Sequence, residues 1–445
     1  MTMIDIKVKV KTLVKPAEKT PRRSLWLSDL DMLQEEVRRA TVLYLYKNDG
    51  ASNFFDPTHL KEALAKVLVP YYPIAGRLRR VDDGRLEINC NEEGVLFIVA
   101  ESGSVIDDLG DFQTSPELTK LTSASDYSAG ISSVPLLVLQ VTYFKCGGVS
   151  LSVGGEHLAV DGNSAFSFVN AWSEIARGNY NLKVRPALDR TLLRPRDPPQ
   201  IMFNHTEYRR TDQSMEGSDQ DTKSQHDDIE RFNFKLVAVK IARDQINMLK
   251  TKAKDGNNTI DYSTFAILAG LIWKCTCIAR DLPEDQETKL YFPANGRSRL
   301  QPPLPLGYFG NVVFRTTTVA LAGDLKSKPL WYAASLVHKT LMRLDNDYLR
   351  SVIDFLKLHP NTRRNRLDES RSPNLAITSW ANFSTSDADF GLGQPFHMGH
   401  CGILPNEGKA YIVDDGAKDG NKCVLISLQP ECVKMFEKLF YESLI

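Results

Sequence analysis

Long apolar runs are missing from this 445-residue sequence. No stretch approaches the roughly 18 uncharged apolar residues that a membrane-spanning helix needs, so no membrane insertion is expected. Neither sign of charge is in excess: Lys+Arg and Asp+Glu both number 55, a formal net charge of zero. Nucleic-acid binding and adhesion to anionic membranes rest on a strong basic excess, and both are set aside. Cysteine is scarce, seven residues spread through the chain, which reads as reduced thiols in a cytoplasmic protein. Cys275 and Cys277 point to different faces of an expected helix and have no second pair at zinc spacing, so they read as core or surface thiols. The N-terminal segment lacks the uninterrupted apolar core of a secretory signal. Ile4, Ile6, Val8 and Val10 alternate there with Asp5, Lys7 and Lys9, the period of a strand.

What is present is ordinary globular material, with 42% hydrophobic and 25% charged residues. That is enough apolar mass for substantial cores, and at about 150 residues per domain the length suggests two or three. Residues 60–78 open with helical spacing and stop at Pro70 and Pro73. Residues 85–102 read as two strands around a turn at Asn91–Gly94. Residues 136–162 read as a hairpin turning at Gly147–Gly148, its second strand running up to His157. Asp161 then leads into an amphipathic helix closed by Gly178. Residues 206–231 are polar and nearly free of large aliphatics, the best candidate for an exposed crossover. The expected fold is α/β: two α+β domains, residues 1–205 and 232–445, joined by that linker, with a site at their interface.

The strongest local signal is His157-Leu-Ala-Val-Asp161-Gly162, an H-x-x-x-D-G just after a strand. Acyl transfer to an alcohol or amine needs a base near neutral pH, and imidazole, with an unperturbed pKa of about 6.5, is the usual one. A positioned base contributes on the order of a hundred- to ten-thousand-fold. Asp161 need not touch substrate; it can pair with a cation elsewhere or cap the helix. Taken alone, the motif is better read as a hydrogen-bonded histidine at a strand end. The second signal is Asp389-Phe390-Gly391-Leu392-Gly393-Gln394-Pro395, whose two glycines and proline demand special backbone geometry. Taken alone it is a turn. A kinase reading of its D-F-G is excluded, because no glycine-rich loop with a strand lysine and no H-R-D precede it.

Together the two motifs and the chain length resemble the BAHD acyltransferase family of plants. Segments such as VPYYPIAGRLRR (69–80), DRTLLRPRDPPQ (189–200) and GRSRLQPPLPLGYFGNVVF (296–314) resemble its shikimate/quinate hydroxycinnamoyltransferase branch. The resemblance covers nearly the whole chain. It implies two chloramphenicol-acetyltransferase-like domains with a channel between them, acyl-CoA entering from one face and a small-molecule acceptor from the other. It implies His157 as the base, Asp161 as a structural partner of Arg297, and the loop from Asp389 to Pro395 as support near the site. It further implies acyl-CoA as co-substrate, no bound cofactor or metal, direct transfer without an acyl-enzyme, and a monomer. Ser263 and Thr264, just ahead of a helix, suit coenzyme A contacts; plain N-capping explains them equally well. Lys252, Lys254, Arg297 and Arg299 are candidates for phosphate neutralisation.

The departures from that branch concern the acceptor. Its shikimate-using members carry an arginine after S-W that grips a carboxylate. Here Ser379-Trp380-Ala381-Asn382 puts Asn382 in that place, and asparagine cannot replace the charge. Leu392 stands where the branch has tryptophan, and Arg39 and Ala40 depart from its N-terminal segment. Arg39, Ala40, Asn382 and Leu392 are therefore the expected acceptor pocket, remodelled for something other than shikimate. One option is a different hydroxy acid, its carboxylate taken by Arg39 or another cation. The other is a less polar alcohol or an amine. A hydroxycinnamoyl donor follows from the branch. Two alternatives stay open: shikimate or quinate transfer despite these changes, and a catalytically silent member acting through protein contacts.

Overall fold

The computed structural model describes residues 4–35, 39–48, 50, 53–82, 84–110, 112, 115–123, 125–208, 234–254, 260–363, 369–381, 383, 388–401, 406–415 and 419–445. Of the linker expected at 206–231, only the 3-10 turn Thr206–Tyr208 falls among them.

The first half supplies β1 (Ile6–Val14), β2 (Ser24–Trp26), β3 (Arg39–Tyr46), β4 (Arg77–Arg80), β5 (Leu86–Asn89), β6 (Val95–Ser102), β7 (Leu137–Phe144) and β8 (Val149–Glu156). Its helices include α1 (Asp29–Met32), α2 (Pro57–Val67) and α3 (Gly162–Ala176). The second half supplies β9 (Lys235–Ile241), β10 (Glu287–Asn295), β11 (Val313–Leu321), β12 (Leu375–Ser379), β13 (His397–His400), β14 (Lys409–Asp414) and β15 (Lys422–Leu428). Two six-stranded sheets form, in the orders β1-β6-β7-β8-β3-β13 and β11-β10-β12-β14-β15-β9, with β2-β5-β4 as a small third.

Each large sheet buries one face under helices. In the first half Leu60 and Leu64 of α2, with Phe168 and Trp172 of α3, fall at helical spacing and pack with Tyr44, Tyr46, Leu139 and Leu151. In the second half the helix Thr264–Ala279 is apolar nearly all round and lies in the other core. It approaches the helix Leu330–Met342 so closely that a Cβ on Gly270 would stand 2.8 Å from the Ala334 nitrogen. A third cluster joins Leu30 and Leu33 of the first half to the helix Asn346–Leu358 of the second.

Two features depart from the sequence reading. The strands flanking Asn91–Gly94 exist but do not pair: β5 bonds to β4 and β2, while β6 bonds to β1 and β7. The connection passes so close to β1 that a Cβ on Gly94, at φ +97°, would lie 2.5 Å from the Val14 carbonyl oxygen. The second departure is β13, which leaves its own half and pairs antiparallel with β3, His397 opposite Leu45 and His400 opposite Val42. A boundary at residue 232 therefore does not separate the two sheets.

Candidate active site

Asp161 is where the two halves are tied together. β8 ends at Glu156, the chain turns, and Asp161 caps α3 by accepting from Ser164 N at 2.9 Å. Arg297, just past β10, donates to both carboxylate oxygens at 2.7 and 2.9 Å, and Val312 N adds a third donor at 3.1 Å. Burial alone would raise the Asp161 pKa. The Arg297 charge, its hydrogen bonds and the two backbone N–H groups outweigh burial and hold the carboxyl below its usual value. With both side chains nearly buried, removing either partner of such a pair costs about 3–5 kcal/mol.

Gly162 follows, and its role is steric. A Cβ there would lie 2.9 Å from the Phe383 ring, which stacks on Phe166 of α3 with centroids 4.2 Å apart.

His157 is half-buried in the turn between β8 and α3. Its Nδ1 lies 3.2 Å from Asn311 Oδ1, and Asn311 Nδ2 donates back to the His157 carbonyl at 2.8 Å. The same Nδ2 and the Asn311 backbone N–H both donate to Asp31 Oδ1 at 2.8 Å. Asp31 in turn pairs with Arg190 at 3.0 Å, and Arg190 donates to the Ala159 carbonyl at 2.6 Å. The amide NH2 of Asn311 is thus committed to two acceptors, which leaves its oxygen to accept from Nδ1. The imidazole proton sits on Nδ1 and the lone pair on Nε2. Asp31, Arg190 and Asn311 were not singled out from the sequence. No local pattern marks them, because Asn311 meets His157 across 154 positions.

Of the residues expected to form the acceptor pocket, those described do not converge: Arg39 and Ala40 lie on β3, and Leu392 lies in the loop at the far end of α3. Arg39 lies across from Glu156 in the β3–β8 pairing and is paired with it at 3.0 Å, also donating to the Pro135 carbonyl at 2.8 Å. Tyr127 O–H adds a bond to the same carboxylate at 2.7 Å; burial and then the Glu156 charge push that phenol up to about 12. The Arg39 charge is compensated inside the protein, which corrects its reading as a carboxylate-binding residue. Ala40, on the opposite face of β3, is exposed and lies opposite Gly155. Asn382 lies outside the described residues.

Leu392 is the clearest correction. The loop of Asp389, Phe390, Gly391, Leu392, Gly393 and Pro395 is fastened to the far end of α3, where Arg177 donates to the Asp389 carbonyl. Phe390 packs edge-on against Trp172 at 4.7 Å, and Leu392 packs on the same core. Gly391 and Gly393 hold φ values of +87° and +94°, the left-handed region that glycine enters without steric cost. At 1.5 Å rise per residue, α3 sets this loop about 20 Å from its other end, beside His157. Leu392 is part of a structural support, not of an acceptor pocket.

Of the residues expected to contact coenzyme A, Ser263 caps the helix Thr264–Ala279 by accepting from Ala266 N at 3.1 Å, and Thr264 is its first residue. Lys252 donates to the backbone oxygen of Ile445 at 2.9 Å, and Lys254 pairs with Asp261. Arg299 donates to the carbonyls of Leu341 and Leu344 at 2.7 and 3.1 Å. Each of these cations has a partner within the chain. Among the described residues no group of three His, Cys, Asp or Glu side chains is placed to hold a metal ion, and no helix is long and apolar enough to cross a membrane.

Comparison with known proteins agrees with this architecture. A family model described as the Transferase family matches residues 4–443. Shikimate O-hydroxycinnamoyltransferase of Nicotiana tabacum is 50% identical over 99% of this chain and 100% of its own length. Hydroxycinnamoyl-CoA:5-hydroxyanthranilate N-hydroxycinnamoyltransferase of Avena sativa is 42% identical over 98% of this chain and 99% of its own. Among solved structures, vinorine synthase superposes with a TM-score of 0.74 at 21% identity, covering 97% of this chain and 96% of that one. The chain belongs to this family, the BAHD acyltransferases, and has its two-domain, chloramphenicol-acetyltransferase-like fold. It is an acyl-CoA-dependent transferase that acylates an alcohol or amine.

Proposed function

We propose that this transferase uses His157 Nε2 as general base to move a hydroxycinnamoyl group from its CoA thioester to a small acceptor other than shikimate. The observation that carries the reading is the Asn311 contact. It leaves the lone pair on Nε2, where it can take the proton of an acceptor hydroxyl or amine. As that O–H or N–H bond breaks, the oxygen or nitrogen attacks the thioester carbonyl carbon. The C–S bond then cleaves, and CoA thiolate leaves and takes the proton from the imidazolium. No covalent acyl-enzyme is needed.

The donor assignment is supported by the hydroxycinnamoyl donors named for both relatives. Those relatives acylate shikimate and 5-hydroxyanthranilate by name, one through oxygen and one through nitrogen, and both acceptors bear a carboxylate. An acceptor other than shikimate follows from Asn382, which supplies no charge where the branch has arginine. Asp161 and Arg297 hold the loop without touching substrate, and Ser263 and Thr264 lie on the coenzyme side. Work as a cytoplasmic monomer is part of the same reading; its cytoplasmic part is supported by thiols buried outside any disulfide at Cys90, Cys275, Cys277 and Cys432. The test is thiol release from p-coumaroyl-CoA with a panel of shikimate, quinate, 4-hydroxyphenyllactate, 5-hydroxyanthranilate and a long-chain alcohol. Turnover with shikimate as the best acceptor would overturn the acceptor assignment.

A further inference from the structure

We propose that Asp31 and Arg190 set the strength of His157 as a base, the carboxylate acting on the imidazole through the side-chain amide of Asn311. The inference rests on the reading of His157 as general base and adds two positioning residues to it, both acting through other groups.

Asp31 reaches the base from a distant part of the chain. It lies on α1, which Ser28 caps and which Leu30 and Leu33 hold against the helix Asn346–Leu358. Its carboxylate is buried, and the groups around it are donors. Oδ1 accepts from the Asn311 backbone N–H and from Asn311 Nδ2, while Oδ2 accepts from Ser28 N and Ser28 Oγ, all at 2.8 Å. Arg190 heads the 3-10 turn Arg190–Leu193. Its Nη1 stands 3.0 Å from Asp31 Oδ1, and its Nη2 donates to the Ala159 carbonyl, two residues past the base.

The surroundings allow the Asn311 amide one orientation. Turned over, its oxygen would face Asp31 Oδ1 and the His157 carbonyl, two acceptors with no proton to offer. Asp31 thereby helps to keep the amide oxygen on Nδ1. When Nε2 takes the acceptor's proton, the Nδ1 proton stays in place and the ring becomes an imidazolium. No proton passes to Asn311 or Asp31. The positive ring then lies one amide away from a buried carboxylate, within about 8 Å by the two contacts and the width of the amide. A full charge at that range shifts a proton affinity by about one pH unit. Asp31 favours the imidazolium, and the Arg190 cation opposes it.

The other charges near the turn are matched in pairs of their own: Asp161 with Arg297, Glu156 with Arg39, and Asp29 with Arg85. Tyr308 is buried close by, and burial, then the Asp31 charge, keep its phenol neutral. A change at Asp31 or Arg190 is therefore felt at the imidazole as a change of local charge.

The test is two titrations of the full chain between about pH 5 and 8. One follows kcat/KM for thiol release from p-coumaroyl-CoA, which rises with pH as the base loses its proton. The other follows the His157 ring by NMR on histidine-labelled protein, its signal assigned by its loss in His157→Ala. Asp31→Asn should lower both midpoints by about one pH unit, and Arg190→Met should raise them by a similar amount. Arg190→Lys should leave them near the wild type, and the double variant Asp31→Asn/Arg190→Met should bring them back to it. Should Asp31→Asn not fold, the contrast between Arg190→Met and Arg190→Lys decides the matter. A purely structural pair lowers the plateau rate and leaves the midpoints where they were. Ring midpoints that stay fixed in Arg190→Met, or that move in the same direction in Asp31→Asn and Arg190→Met, overturn the inference. Ring midpoints that move as expected while the rate profile stays fixed uphold it and count against His157 as the base.

Discussion

Asn311 touches His157 twice, accepting from the imidazole through Oδ1 at 3.2 Å and donating to the same residue's backbone carbonyl through Nδ2 at 2.8 Å. One side chain thereby fixes both the ring and the turn that carries it. Asn311→Leu, close in size, removes both contacts. Its kcat is expected to fall about a hundredfold, the scale of a small misplacement of a catalytic group, with KM for acyl-CoA little changed. Steady-state kinetics on protein shown to be folded by circular dichroism would check this. A rise in KM at constant kcat would mean that Asn311 serves binding and not the base.

The pair of Asp161 and Arg297 gives a stability prediction. Either single alanine variant should lose about 3–5 kcal/mol in urea unfolding, and the double variant should lose less than the sum of the two. The pH dependence has a definite sign. The folded-state pKa of Asp161 is depressed, so its contribution is complete above the unfolded value of about 3.9 and is lost as pH falls through the folded value. The stability gap between wild type and Asp161→Asn should therefore be level from pH 7 to 5 and narrow below about pH 4. A gap that widens on acidification contradicts the account.

Much of this region was legible in the sequence, and the reason is local. The hairpin, the cap at Asp161 and the helix closed at Gly178 all depend on neighbours within a few positions, so short-range patterns report them. What could not be read there is long-range. Arg39 reads in the sequence as an uncompensated cation because its partner Glu156 lies 117 positions away. Leu392 enters the expected acceptor pocket only as a departure from the tryptophan of the resembled branch, and a departure at one position does not say where the loop lies. Only the course of α3 shows the loop to be at the wrong end. β13 belongs to the first sheet although it lies near the C-terminus, since strand pairing at such a separation leaves no trace in local periodicity.

The position of Leu392 can be tested directly. Leu392→Trp restores the branch residue but sits about 20 Å from His157 by helix rise. It should leave the ranking of acceptors unchanged and shift only the thermal midpoint. A gain of shikimate turnover in this variant would return the loop to the acceptor site.

Gly162 offers a rescue experiment. Gly162→Ala drives a methyl to within 2.9 Å of Phe383, an overpacking expected to cost about 1–3 kcal/mol. Combining it with Phe383→Leu should recover part of that loss. If the double variant is no more stable than Gly162→Ala, the glycine is required for something other than the close approach of this ring.

The most direct measurement is thiol release from p-coumaroyl-CoA by wild type and His157→Ala, with whichever panel acceptor the wild type uses. The imidazole is half-exposed and its Asn311 contact is one of several holding that turn, so the variant should fold normally. Its turnover is expected to drop by at least a hundredfold, while binding of acyl-CoA is retained. A folded His157→Ala that releases thiol at the wild-type rate would contradict the assignment of His157 as the base.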